Sequence, residues 1–241
     1  MAARYYLLPF AGGGHSSYHC LTSRWDGELD TRCLDWSSER YLRQGGITQL
    51  ARELAEQVAN DLSGRPASRF GLFGHSMGAL VALELGVALR EVGAPSPVVV
   101  GVSGRVPPQY GSRPAADPDQ PASVAAYLRS CGGELAKAAA DPEFVDLVGE
   151  RLRADIGLGV GYQYRPRSAL SCPVVAFGGL ADPLATPGEL LGWLEHGSDG
   201  GSVHLFDGGH WFIWDHMAAV AGLLRLALVG HTSDCRDLAR R

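Results

Sequence analysis

Along the chain, short apolar or β-rich runs alternate with stretches in which apolar residues recur every three or four positions. The runs are Tyr5 to Phe10, Thr31 to Trp36, Phe70 to Phe73, Val98 to Val102, Pro173 to Gly179 and Ser202 to Phe206. Their content of β-branched and aromatic residues predicts strands. Val98-Val99-Val100-Gly101-Val102 is apolar on consecutive positions, as a parallel sheet covered on both faces requires. Between the runs, Ile47, Leu50, Ala51, Leu54, Ala55 and Val58 recur at helical spacing, and that helix closes near Asn60 to Gly64. Ala79 to Leu85, the stretch around Leu190, Leu191, Trp193 and Leu194, and Leu223 to Val229 read as further helices. The alternation predicts an open α/β sheet, mostly parallel and flanked by helices.

From about Val106 to Arg167 the pattern changes. A polar stretch with Pro107, Pro108, Pro114, Pro118 and Pro121 leads to two helical patterns, Ala122 to Ser130 and Pro142 to Asp155, the second with proline at a helix start. No strand alternates with them. A helical block between two core strands predicts a lid inserted at about residues 107–167, with ordinary crossover helices as the plain alternative. No Pro/Gly/Ser-rich linker divides the 241 residues into two cores, so residues 1–241 are expected to form a single domain with a frayed polar tail over 230–241.

Charge and cysteine content narrow the classes. The formal net charge of −5, with no basic run, argues against a nucleic-acid partner. Cys20, Cys33, Cys131, Cys172 and Cys235 are odd in number and hold no CxxC pair, which fits reduced thiols. The apolar run Tyr5 to Phe10 is too short for a secretory signal and no window reaches membrane-spanning length, so a soluble cytoplasmic protein without a membrane partner is expected.

The chemistry centres on Gly74-His75-Ser76-Met77-Gly78, which follows the strand Phe70 to Phe73 and precedes a helix. Strand, G-x-S-x-G and helix in that order make a nucleophile elbow, in which flanking glycines leave room for a strained central serine. Serine at its normal pKa is a poor nucleophile, so it needs a base, and the base needs an orienting carboxylate. His210, in the loop Asp207-Gly208-Gly209-His210 directly after a strand, is the candidate base. His75 points elsewhere, His204 lies within a strand, and His196, His216 and His231 sit in helical or terminal contexts. Asp182 follows the strand ending at Gly179 and is the candidate acid. Asp207 competes, but it shares a short segment with His210 and is less able to reach it. Ser76, Asp182 and His210 thus run in the order of a triad built on an α/β-hydrolase sheet. The loop Ala11-Gly12-Gly13-Gly14 reads alone as a tight turn. Beside an elbow, it is expected to supply an oxyanion donor from the N–H of Ala11 or a neighbour, beside that of Met77. His15 and His19, four apart, have no third ligand spaced to join them, so a surface or pocket-rim position is expected and neither metal nor cofactor is assigned.

Over residues 5 to 225 the chain resembles the type II thioesterases that accompany modular polyketide synthases and nonribosomal peptide synthetases. The resemblance is carried by Pro9-Phe10-Ala11-Gly12-Gly13, Gly74 to Ala79, Val102-Ser103-Gly104-Arg105, Tyr164-Arg165-Pro166, Cys172-Pro173-Val174, Gly179 to Pro183 and Gly208 to Phe212. It implies an α/β-hydrolase fold with a flexible helical lid. It also implies hydrolysis of acyl thioesters from the phosphopantetheine arm of an acyl or peptidyl carrier protein, through an acyl-enzyme on Ser76. A monomer is expected. The chain departs from the family pattern at Ser37-Ser38-Glu39-Arg40, where Pro-Gly-Arg is usual, and at Phe10, where His or Tyr is common. Arg105 is expected either to face the pocket or the incoming phosphate, or to fix the loop after its strand. Release of a finished product and hydrolysis of free esters by a lid-gated carboxylesterase are the alternative functions, since both would use the same triad.

Overall fold

The computed structural model describes residues 3–25, 27–111, 113–114, 117, 120–131 and 133–230. Six strands form one sheet: β1 (Ala3–Leu8), β2 (Leu29–Cys33), β3 (Phe70–His75), β4 (Val99–Ser103), β5 (Val174–Gly179) and β6 (Gly201–Phe206). Their order across the sheet is β2-β1-β3-β4-β5-β6, and every pairing is parallel. This is the flanked sheet of an α/β-hydrolase, as expected.

The helices are α1 (His19–Thr22), α2 (Ser38–Arg43), α3 (Gly46–Gly64), α4 (Met77–Glu91), α5 (Pro121–Cys131), α6 (Gly133–Ala138), α7 (Pro142–Val160), α8 (Pro187–Leu190), α9 (Phe212–Asp215) and α10 (Met217–Val229). Strand side chains alternate between two cores. Tyr6, Leu8, Leu72, Val100, Val102, Val174 and Ala176 pack with α3 and α4 on one face, whereas Tyr5, Leu7, Phe73, Val99, Val175 and Phe177 pack with α10 on the other. The six apolar positions predicted for α3 are all buried. From Met77 to Leu89 every residue of α4 is buried, because the helix lies on the sheet beneath α3.

Some boundaries differ from the pattern. β1 ends at Leu8 because Pro9 has no N–H with which to extend the ladder, and Phe10 enters a turn closed by Gly13 N–H at 2.8 Å. β2 ends at Cys33 rather than Trp36, since the Asp35 carboxylate accepts from the Trp36 N–H at 2.9 Å and turns this edge strand away. α10 begins at Met217 rather than Leu223, with Met217, Val220, Ala221, Leu224 and Leu228 on its buried stripe. Between β4 and β5 the described residues hold α5, α6 and α7 and no strand of the sheet. α7 starts as its proline suggests, with the Asp141 carboxylate accepting from Glu143 N–H at 3.0 Å. Of these helices α5 and α7 form a third core with Phe10, Ala11, Met77 and Trp211, that is, with residues at the carboxyl edge of the sheet. Residues 231–241, with His231, Cys235 and nearly all of the expected tail, lie outside the described residues.

Candidate active site

The elbow forms where β3 meets α4. Ser76 has φ 53° and ψ −117°, and among the described residues it is the one non-glycine with positive φ. A Cβ on Gly78 would run into the carbonyl oxygen of Leu8, and one on Gly74 into the backbone of Gly78, so the glycines permit the close crossing of α4 over β1 and β3. The Ser76 N–H donates to the Ser103 carbonyl at 2.7 Å, tying the turn to β4.

Loops after β5 and β6 bring the other two candidates to this point. His210 Nε2 lies 3.1 Å from Ser76 Oγ, and His210 Nδ1 lies 3.0 Å from Asp182 Oδ2. The second oxygen of the buried Asp182 carboxylate accepts from Leu184 N–H at 2.8 Å, so the carboxylate is fixed from both sides. Asp207 takes no part, its carbonyl instead meeting His216 Nε2 at 2.9 Å. The chain Ser76 to His210 to Asp182 has the reach that proton transfer from a serine needs.

His75 does not point away from the site altogether. Its ring is fully buried, bonded through Nδ1 to Ser103 Oγ at 2.9 Å, with its centroid 4.9 Å from that of His210. Burial first, and the neighbouring His210 second, push its pKa well below that of a free histidine, so it stays neutral. Gly104, at φ 57°, is held to glycine by this ring, which a Cβ would strike.

Ala11 lies beside Ser76, and Met77 opens α4. Among the described residues neither backbone N–H has a hydrogen-bond partner, and the first N–H groups of a helix are free by construction. Ala11, Ser76 and Met77 line a slot of about 20 Å³ whose far wall is Asp155, Ile156 and Val160 of α7. A cavity of about 400 Å³ lined by His210 opens between Tyr127, Leu184, Trp211 and Phe212. The larger cavity of about 540 Å³ between Arg52, Glu91, Tyr162 and Arg165 touches none of these residues. Arg105 also lines the slot, where burial pulls its guanidinium down to about 10, while its carbonyl accepts from Trp193 Nε1 at 2.7 Å. Arg105 thus lies on the slot, and the bond to Trp193 is made by its backbone rather than by its guanidinium. His15 and His19 are exposed.

Asp155 was not singled out by sequence reasoning. Its buried carboxylate accepts from Gly12 N–H at 2.6 Å and from Ser38 Oγ at 2.5 Å, with the Arg151 guanidinium 4.0 Å away. Burial raises its pKa, and those two bonds oppose the rise. The signal was present, because Asp155 stands on the buried stripe of α7 with Leu152, Ile156 and Gly159.

A family model described as a thioesterase domain matches residues 4–227. The gramicidin S biosynthesis protein GrsT of Aneurinibacillus migulanus is 31% identical over 88% of this chain and 83% of its own. LgrE of Brevibacillus parabrevis, named a linear gramicidin dehydrogenase, is 33% identical over 91% of this chain and 87% of its own. Among solved structures, the type II thioesterase BorB from the borrelidin biosynthetic cluster superposes with a TM-score of 0.79 at 29% identity, covering 95% of this chain and 93% of its own. The chain belongs to the thioesterase family, and within it resembles the discrete type II thioesterase.

Proposed function

We propose that the protein is a serine thioesterase that removes acyl groups from the phosphopantetheine arm of an acyl or peptidyl carrier protein, clearing stalled or aberrant chains. The observation that carries this reading is the hydrogen-bonded series of Ser76, His210 and Asp182 on a strained elbow. Ser76 Oγ attacks the thioester carbonyl carbon as its proton passes to His210 Nε2, and Asp182 holds the imidazole in the tautomer that can accept it. The oxyanion accepts from the N–H groups of Ala11 and Met77, each donor contributing ~3–4 kcal/mol. Collapse of this intermediate expels the phosphopantetheine thiol, which takes the proton from His210 and leaves an acyl-serine. Water, deprotonated by His210, then attacks the acyl carbon, and the acid departs as Ser76 recovers its proton.

The helical block over residues 107–167 acts in this reading as a lid. The slot beside Ser76 has room for about one water, so an acyl group needs either the 400 Å³ cavity or movement of α7. A dinucleotide reading, which the name of LgrE invites, fits less well. It would need the N–H groups of the loop after β1 for a pyrophosphate, and Gly12 N–H already faces the Asp155 carboxylate.

Ser76→Ala is expected to lower kcat on an acyl-carrier thioester by ~10⁴-fold or more with the fold intact. Retention of substantial turnover refutes the assignment. Measured on the matched oxygen ester, a strong ester preference would instead favour a carboxylesterase. Mass spectrometry of a panel of acyl-loaded carrier proteins separates editing, which accepts many short chains, from release of one finished product.

A further inference from the structure

The loop after β1 is held from outside the sheet, at consecutive residues, by side chains of the inserted helices. Tyr127 Oη, on α5, donates to the Ala11 carbonyl at 2.8 Å. Gly12 N–H donates to Asp155 Oδ2, on α7, at 2.6 Å. The Arg151 guanidinium, also on α7, donates to the Gly13 carbonyl. The first two bonds act on one peptide plane, because the Ala11 carbonyl and the Gly12 N–H belong to the same planar unit. Fixing that plane at both ends fixes the Ala11 Cα, which lies in it; the Ala11 N–H lies in the preceding peptide plane, whose Phe10 carbonyl accepts from Gly13 N–H at 2.8 Å, so the two held planes together aim the Ala11 N–H. Gly12, at φ 77°, is the glycine that lets the next peptide turn toward α7. Asp155 is itself anchored through Ser38 Oγ, one of the positions where this chain departs from the family pattern, and Arg151 through Asp35 Oδ1 at 2.9 Å.

We propose that Tyr127, Asp155 and Arg151 are positioning residues for the oxyanion hole, so that docking of the helical block and assembly of the hole are one event. This rests on the reading of Ser76 as nucleophile and Ala11 N–H as oxyanion donor. A block that only covered the site would affect entry of the acyl chain. A block that aims an oxyanion donor affects the chemical step, and a displaced block then leaves Ser76 with one donor while the arm enters.

The test is steady-state kinetics on an acyl-carrier thioester with Tyr127→Phe, Asp155→Ala and Asp155→Asn, each expressed per folded molecule by circular dichroism. Removing an oxyanion donor outright costs 10²–10³-fold in kcat, so loosening one is expected to cost about 10-fold in Tyr127→Phe and up to about 100-fold in Asp155→Ala. KM should stay within about twofold of wild type. Asp155→Asn keeps an oxygen that can accept from Gly12 N–H and should recover most of the loss. Unchanged kcat, or a rise in KM alone, overturns the proposal. Tyr127→Phe decides the question if Asp155→Ala does not fold. Ser76→Ala run alongside separates the two levels: its activity would sink the nucleophile assignment, whereas an inactive Ser76→Ala beside a fully active Tyr127→Phe sinks the positioning role alone.

Discussion

The backbone at Ser76 stores strain that two variants of this residue can measure. At φ 53° and ψ −117° the residue lies outside even the left-handed helical region. Sparsely populated conformations cost ~1–3 kcal/mol, and this one belongs near the upper end. The turn cannot relax, because Ser76 N–H is bonded to Ser103 and the flanking glycines leave no room between α4 and β1. Ser76→Ala removes Oγ and its bond to His210 but keeps the Cβ that makes the conformation costly. Ser76→Gly removes both, so the difference between the two isolates the strain. Against glycine count its greater freedom in the unfolded chain, ~0.4–1 kcal/mol, and the loss of one buried carbon, about 0.8 kcal/mol. The glycine variant should therefore be more stable than the alanine variant by ~1.5 kcal/mol, or ~3–6 °C in melting temperature for a chain of this length. Urea unfolding and calorimetry on the pair provide the assay. Equal stability, or a less stable glycine variant, would refute the stored strain.

Two further outcomes are expected. Arg167→Ala leaves the buried carboxylate of Glu84 on the elbow helix, which also accepts from Tyr162 Oη at 2.5 Å, without its cationic partner. The cost should be about 3–5 kcal/mol, read as a lower urea midpoint. Burial depresses the pKa of His196 to about 4, with Arg167 a second cause, and that of His75 well below the usual value for the same main reason. Both histidines bind protons more readily in the unfolded chain, so their contribution is present above pH 6.5 and declines as pH falls below it, the His196 share being lost toward about pH 4. Urea midpoints at pH 7.5 and 4.5 should show this loss, and His196→Asn should reduce it.

Most of the sheet was legible because it is parallel and doubly covered. Strands such as Val99–Ser103 must be apolar on consecutive positions, and that demand writes itself into the local sequence. The edge strand Leu29–Cys33, half-buried throughout, carries no such demand, and it starts two residues and ends three residues before the run Thr31 to Trp36 that the pattern suggests. Alanines at 218, 219 and 221 hid the first turn of α10, since they fill a helix without marking its buried face. The short helices at His19–Thr22 and Ser38–Arg43 leave no such trace for a related reason, being too brief to show a period.

The site divides along the same line. Ser76, Asp182 and His210 each follow a strand, and strand ends at one edge of a parallel sheet are brought together by topology, so their meeting could be argued from order alone. The supports of the Ala11 loop could not. Tyr127, Asp155 and Arg151 stand 116, 143 and 138 residues from the backbone groups they hold, in helices whose placement over the sheet no local pattern dictates. What the sequence does offer is a conflict. A carboxylate on the apolar stripe of α7 is costly to bury without partners, so its presence calls for polar groups across the interface. The nearest backbone with such groups is the glycine loop at the carboxyl edge of β1. An acidic residue on the buried face of an inserted helix is therefore a sign that the insertion acts on the site as well as covering it.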